Sequence, residues 1–150
     1  MNLQLAREEY LEALGRGKKE IRELTAAGKS TRPAVLDDIL GSDASPVIQE
    51  LGLVEVPSDR IVGTKSAGRI TAFTPSFTPT LGIDSEFALK WIHLCAAHLG
   101  DEGIREPIMC YEYLGKFYVQ EGNKRVSVLR HFDAPRIPGT VKRIVPPMSD

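Results

Sequence analysis

Apolar residues recur every three to four positions near the start of this chain and gather in short runs between breakers further on. Tyr10, Leu11, Leu14, Ile21 and Leu24 fall on one face of an amphipathic helix whose middle is weakened by Gly15 and Gly17. The helix is expected to stop at Gly28. Ser30-Thr31-Arg32-Pro33 then offers a cap with proline in the first turn, opening a short helix through Leu36, Ile39 and Leu40. The loop Gly41-Ser42-Asp43-Ala44-Ser45-Pro46 ends this region. Residues 1–50 therefore read as a helical extension that packs on the rest of the chain or on a partner.

Beyond it, Gly52-Leu53-Val54-Glu55-Val56-Pro57 is β-branched and bounded by breakers, which predicts a strand, and Pro57 places it at an edge or a strand end. Gly63 to Gly82 is rich in Thr, Gly and Pro and reads as a long loop, functional or mobile, able to serve as a lid. Asp84-Ser85 caps a helix carrying Phe87, Trp91, Leu94, Cys95 and Leu99 on one face and ending near Gly100. Pro107 to Tyr113 and Lys116 to Gln120 form a hairpin around Gly115. After Gly122 the period lengthens, with Val126, Leu129 and Phe132 at three-residue spacing, predicting a helix over about 124–132. Ile137 to Val145 returns as a strand, split by Pro138-Gly139.

The chain has 150 residues, a length that fits one domain with an appendage. Its 19 basic residues against 20 acidic ones exclude a uniformly basic coat, so an anionic partner has to be met locally. No apolar stretch reaches the roughly 20 residues of a membrane span, and the first residues lack the basic-then-apolar order of a secretory signal. The expectation is a cytoplasmic protein with no membrane partner. Cys95 and Cys110 have neither redox nor zinc spacing and read as buried free thiols. His93 and His98 are five apart and His131 lies in another helix, so structural roles are expected and no metal ligands are assigned.

The candidate chemistry sits at Glu121-Gly122-Asn123-Lys124-Arg125, where a strand should pass into a helix. The first amides of a helix have no intrahelical acceptor and the macrodipole adds positive charge, so an anion is stabilised there. Gly122 allows close approach, Asn123 can cap or present its amide, and Lys124 and Arg125 bring full charges, the arginine as a fork for two phosphate oxygens. From Glu121 to Arg143 there are six basic residues against two acidic ones. An ordinary exposed turn has the same composition, and neither a Walker loop nor a Rossmann fingerprint is present. Glu121 beside the turn and Glu106 are candidate magnesium ligands or general bases, with surface ion pairing as the alternative for each.

In order, Gly103-Ile104-Arg105-Glu106-Pro107-Ile108, a hairpin and Gly122-Asn123-Lys124-Arg125 resemble the ParB/sulfiredoxin fold over residues 52–146. Val56-Pro57-Ser58-Asp59-Arg60-Ile61 resembles the opening strand of that family, and Gly68-Arg69 stands where many members carry an arginine. The resemblance implies an α+β domain over 51–150, a small mixed sheet with flanking helices. It implies a nucleotide or other phosphate-bearing ligand held by Gly122, Asn123, Lys124, Arg125 and Arg69, with Gly103, Ile104, Pro107 and Ile108 as the pocket wall. A nucleoside triphosphate with Mg2+, hydrolysed or used for phosphoryl transfer, is one implied function. A DNA-binding, nuclease-type or regulatory module contacting backbone phosphates is the other. ParB proteins usually carry Gly-Glu-Arg-Arg in the turn, and sulfiredoxins need a cysteine there; Asn123 cannot act as that sulfur nucleophile. The end of the sequence after a strand and two prolines leads us to expect a piece of a longer protein.

Overall fold

A computed structural model describes residues 2–147 of the chain. The first helix, α1 (Leu3–Ala26), is capped by Asn2, whose side chain accepts from the Leu5 amide at 3.0 Å. It buries Ala6, Tyr10, Ala13, Leu14 and Gly17, a stripe of mostly small residues, while Leu11 faces solvent. The small residues let the helix come close to the core. At Gly17 a Cβ would stand 2.4 Å from the carbonyl oxygen of Pro79, so the glycine that weakens the helix locally is what permits this contact. Tyr10 packs edge-on against Trp91 at 5.1 Å and donates its hydroxyl to the Leu81 carbonyl.

Among the described residues six strands form one mixed sheet in the order β1-β3-β5-β4-β6-β2. They are β1 (Ala34–Val35), β2 (Val47–Pro57), β3 (Ile61–Thr64), β4 (Ile108–Tyr113), β5 (Lys116–Glu121) and β6 (Arg136–Val145). The pairs β1–β3, β3–β5 and β4–β6 are parallel, and β4–β5 and β2–β6 antiparallel. The helices α1, α3 (Glu86–Leu99) and α4 (Asn123–His131) share one hydrophobic core with one face of the sheet. The short α2 (Leu36–Leu40) inserts Leu36 between Tyr111, Tyr118 and Ile144 in a second cluster. This is the α+β class expected, a mixed sheet with flanking helices. No helix among the described residues is long and apolar enough to cross a membrane.

Several boundaries differ from the sequence-based ones. β1 and the first half of β2 belong to the sheet, so the limit expected at residue 50 falls inside a strand. Gly52 explains the difference: it sits at φ 74° in a β-bulge, where the register against β6 shifts between Glu50 and Gly52 without ending the pairing. Pro138-Gly139 likewise does not split β6, which runs unbroken between β4 and β2. There Gly139 lies between Ile108 and Val56, each 3.1 Å from where its Cβ would be. The strand β2 is at the sheet edge, as Pro57 suggests.

The Thr-rich segment is not a free loop. It holds the end of β3, a 3-10 turn over Ala67–Ala72, and Phe73 and Phe77, both buried in the core. Each of those rings contributes about 1.5–3 kcal/mol by leaving water. Glu20 of α1 accepts from the Thr74 hydroxyl at 2.8 Å and the Ser76 amide at 3.2 Å, which ties the turn to the first helix. In α3, Ser85 is the cap and Phe87, Trp91 and Cys95 point inward as expected, whereas Leu99 is 41% exposed at the last residue of the helix.

The β4–β5 hairpin turns through Leu114 (φ 53°) and Gly115 (φ 83°), the two left-handed positions of a type I′ turn, with Leu114 67% exposed. Leu114→Asn relieves a left-handed leucine and is expected to raise unfolding free energy by roughly 1 kcal/mol in urea titration; no gain would contradict the turn.

Burial raises four neutral acids: Tyr118, Tyr10 from 10.0 to about 12 with Ser85 partly opposing, and Cys110 from 9.0 to about 12. Cys95 rises from 9.0 to about 11, by burial first and then by the charge of Glu9. Each group holds its proton more tightly when folded, so its stabilisation is complete below its ordinary value and is lost as pH rises through the raised one. Urea unfolding is therefore expected to weaken from pH 9 to 11, and a flat profile there would refute it.

Candidate functional site

β5 ends at Glu121, the chain turns left-handed at Gly122 (φ 103°), and α4 begins at Asn123. Any side chain at Gly122 would collide with its surroundings, since a Cβ would lie 2.7 Å from Ile108 Cγ2 and 3.0 Å from an Arg125 nitrogen. The Gly122 carbonyl accepts from Val126 at 3.0 Å, closing the first helical turn. The amides of Asn123, Lys124 and Arg125 precede that bond and have no intrahelical acceptor.

Arg125 is folded back over the turn. Its Nη1 donates to the carbonyls of Glu106 at 3.0 Å and Pro107 at 2.9 Å, and lies 3.5 Å from the Glu106 carboxylate. Its side chain is 14% exposed, that of Glu106 82%. One arm of the guanidinium fork is therefore committed to the protein, joining the start of α4 to the approach of β4.

In front of the turn lies a cavity of about 600 Å³. Gln120 to Arg125 form its floor, Arg69 and Phe73 stand on one wall, Lys90 and Leu94 of α3 on another, and Glu106 closes the rim. Four cations thus face two carboxylates, Glu106 and Glu121, and Glu106 is already paired. The Lys124 ammonium is held below its ordinary value, first by burial and then by the charges of Arg69 and Lys90, with Glu86 partly opposing. Its Nζ lies 5.4 Å over the Phe87 ring, and Lys90 pairs with Glu86 at 3.2 Å. Asn123 Oδ1 is buried with no hydrogen-bond partner among the described residues.

The structure brings together Glu106, Glu121, Gly122, Asn123, Lys124, Arg125 and the distant Arg69. It does not bring the expected wall. Gly103 (φ 67°) lies in the turn after α3, its amide donating to Ala97 at 2.9 Å, and with Asp101, Glu102 and Arg105 it lines a separate surface depression. Ile104 packs partly buried on the core, Ile108 is buried beneath Gly122, and Pro107 acts through its carbonyl on Arg125. Lys90 escaped the sequence reading. It follows Glu86 by four residues on an exposed row of α3, and only the packing of α3 on α4 reveals that this row ends at the turn.

The histidine with carboxylates nearby is elsewhere. Glu9, Glu12 and His131 come within 4.8 Å of one another, with His131 Nε2 2.6 Å from Glu9 Oε2 and Nδ1 against Arg16. A guanidinium can only donate, so Nδ1 accepts and the ring proton sits on Nε2, facing Glu9. That grouping latches α1 to α4, a structural role.

No family model matches the chain, and no curated protein matches it. Among solved structures it is similar to sulfiredoxin from Arabidopsis thaliana, with 19% identity and a TM-score of 0.41 over 59% of this chain and 82% of that one. A likeness of that size says nothing about the site, whose chemistry rests on this chain's own residues.

Removing the Arg125 guanidinium strips two carbonyls of a charged donor. Arg125→Ala is expected to lower unfolding free energy by about 1–3 kcal/mol in urea titration; a variant as stable as the parent would show that the contacts hold nothing.

Proposed function

We propose that the cavity in front of α4 binds the phosphate-bearing end of a small ligand, a nucleotide being the class considered first. The observation that carries this reading is the convergence of Arg69, Lys90 and Lys124, from three separate elements, on the amino end of α4. Like charges brought together repel, and an anion between them turns that repulsion into attraction. Within this reading Lys124, Lys90, Arg69 and the amides after Gly122 meet the phosphate, while Arg125 holds the turn and offers its remaining N–H groups. A concave site favours a small ligand over duplex DNA, which needs an open basic surface.

Magnesium is usually held by one or two carboxylates together with phosphate oxygens. Glu121 and the unpaired Asn123 Oδ1, which flank Gly122, are oxygen donors of that kind, so this donor set fits a magnesium–phosphate ligand. Bound there, the ion would neutralise phosphate charge. Hydrolysis or phosphoryl transfer would need Glu121 or Glu106 as base, and Glu106 is engaged by Arg125. Binding is thus the function we put forward.

Thermal unfolding with nucleoside triphosphates and Mg2+ tests it. Ligand at roughly 100 times Kd stabilises by about 2.7 kcal/mol, so Tm is expected to rise on the order of 5–10 °C. The rise should be lost in Lys124→Ala combined with Arg69→Ala. No shift with any phosphate ligand would end this reading, and steeply salt-dependent binding of duplex DNA would replace it.

A further inference from the structure

We propose that this cavity reads the length of a phosphate chain and is indifferent to the base attached to it, an inference that rests on the phosphate-binding reading above. Two independent features point there. The first is the number and origin of the charges. Arg69 comes from the 3-10 turn after β3, Lys90 from the middle of α3 and Lys124 from the first turn of α4. Each of Arg69 and Lys90 lies close enough to Lys124 for its charge to oppose the ammonium, and Glu86, paired with Lys90 at 3.2 Å on the exposed side of α3, offsets this in part. One phosphoryl group at the α4 amides would answer only part of this set. A chain of two or three phosphoryl groups can answer all of it, one end on the amides and the other between Lys90 and Arg69.

The second feature is what a base would find. Phe73, the one aromatic residue lining the cavity among the described residues, is 1% exposed and wedged between Phe77 and Phe87 at 5.6 and 5.2 Å, so it presents no face for stacking. Val119 is equally buried. The Thr64 hydroxyl is already donated to the Ser66 carbonyl at 2.7 Å. Among the described lining residues the neutral polar groups left to a base are the Ser66 hydroxyl and the Gln120 amide, since Asn123 sits at the helix start with the phosphate. Gly103, Ile104, Pro107 and Ile108, which would shape a base or sugar wall, do not line the cavity. Charge is recognised here and a base edge is not.

Competition binding at fixed ionic strength and Mg2+ decides the matter, using inorganic phosphate, pyrophosphate, tripolyphosphate, ATP, CTP, GTP and UTP as probes. Affinity is expected to rise about tenfold with each added phosphoryl group, and the four nucleotides and tripolyphosphate to fall within about threefold of one another. Lys90→Gln changes an exposed side chain and should keep the thermal unfolding profile of the parent. It should weaken tripolyphosphate about tenfold and inorganic phosphate little; Arg69→Gln is the second variant, with the same expected pattern. One nucleotide binding more than about tenfold tighter than the other three and tripolyphosphate would overturn base indifference while leaving phosphate binding intact. Equal weakening of mono- and triphosphate by Lys90→Gln would overturn the reading of chain length. If none of the probes binds, phosphate binding falls as well.

Discussion

The contact on which this fold's candidate site depends is the return of the Arg125 guanidinium onto the carbonyls of Glu106 and Pro107 across Gly122. It joins the end of β5, the start of α4 and the approach to β4 at one point. Gly122 makes it possible by taking a left-handed turn with no side chain between Ile108 and the guanidinium. Because β4 pairs with both β5 and β6, and α4 packs on α3, the orientation of the helix end is transmitted to the sheet centre and to α3. The arrangement also divides labour between neighbours. An arginine spent on backbone carbonyls cannot present its whole fork to a ligand, so free charge has to come from Lys124 and from elements outside the turn.

How far the sequence could be read follows from the range of the interactions involved. α3, α4 and the β4–β5 hairpin were legible because cap, periodicity and turn chemistry lie within a few residues of one another: Ser85 before Phe87, Gly122 before Val126, Gly115 between two strand-like runs. The first half of β2, the two-residue β1 and the continuity of β6 were not, since each is defined by a partner far along the chain. Gly52 and Pro138 look like breakers locally and are tolerated because β6 and β2 zip past them. At the site, the turn residues and Glu121 were legible from local charge. Arg69 entered only through a family resemblance, and Lys90 carried no local signal because its position depends on helix–helix packing. Gly103 and Ile104 were misplaced for the converse reason: they are near the turn in the expected order of parts, yet the turn after α3 directs Gly103 to another surface and Ile104 onto the core.

The wall that holds Arg69 shows what α1 contributes. Arg69 lies in the 3-10 turn Ala67–Ala72, five residues before Thr74. That threonine and Ser76 are held by Glu20, Phe73 and Phe77 are anchored in the core, and Pro79 closes against Gly17. A cation facing two others is pushed towards solvent, and an unsupported loop would let it leave. Fastening the loop to α1 on its far side restrains that escape, so the charge repulsion stays in the cavity, where an anion can relieve it. The helix that sequence alone presents as an appendage is thereby a support for the site: its small residues allow the close approach, and Glu20 fixes the segment that carries Phe73 into the cavity wall.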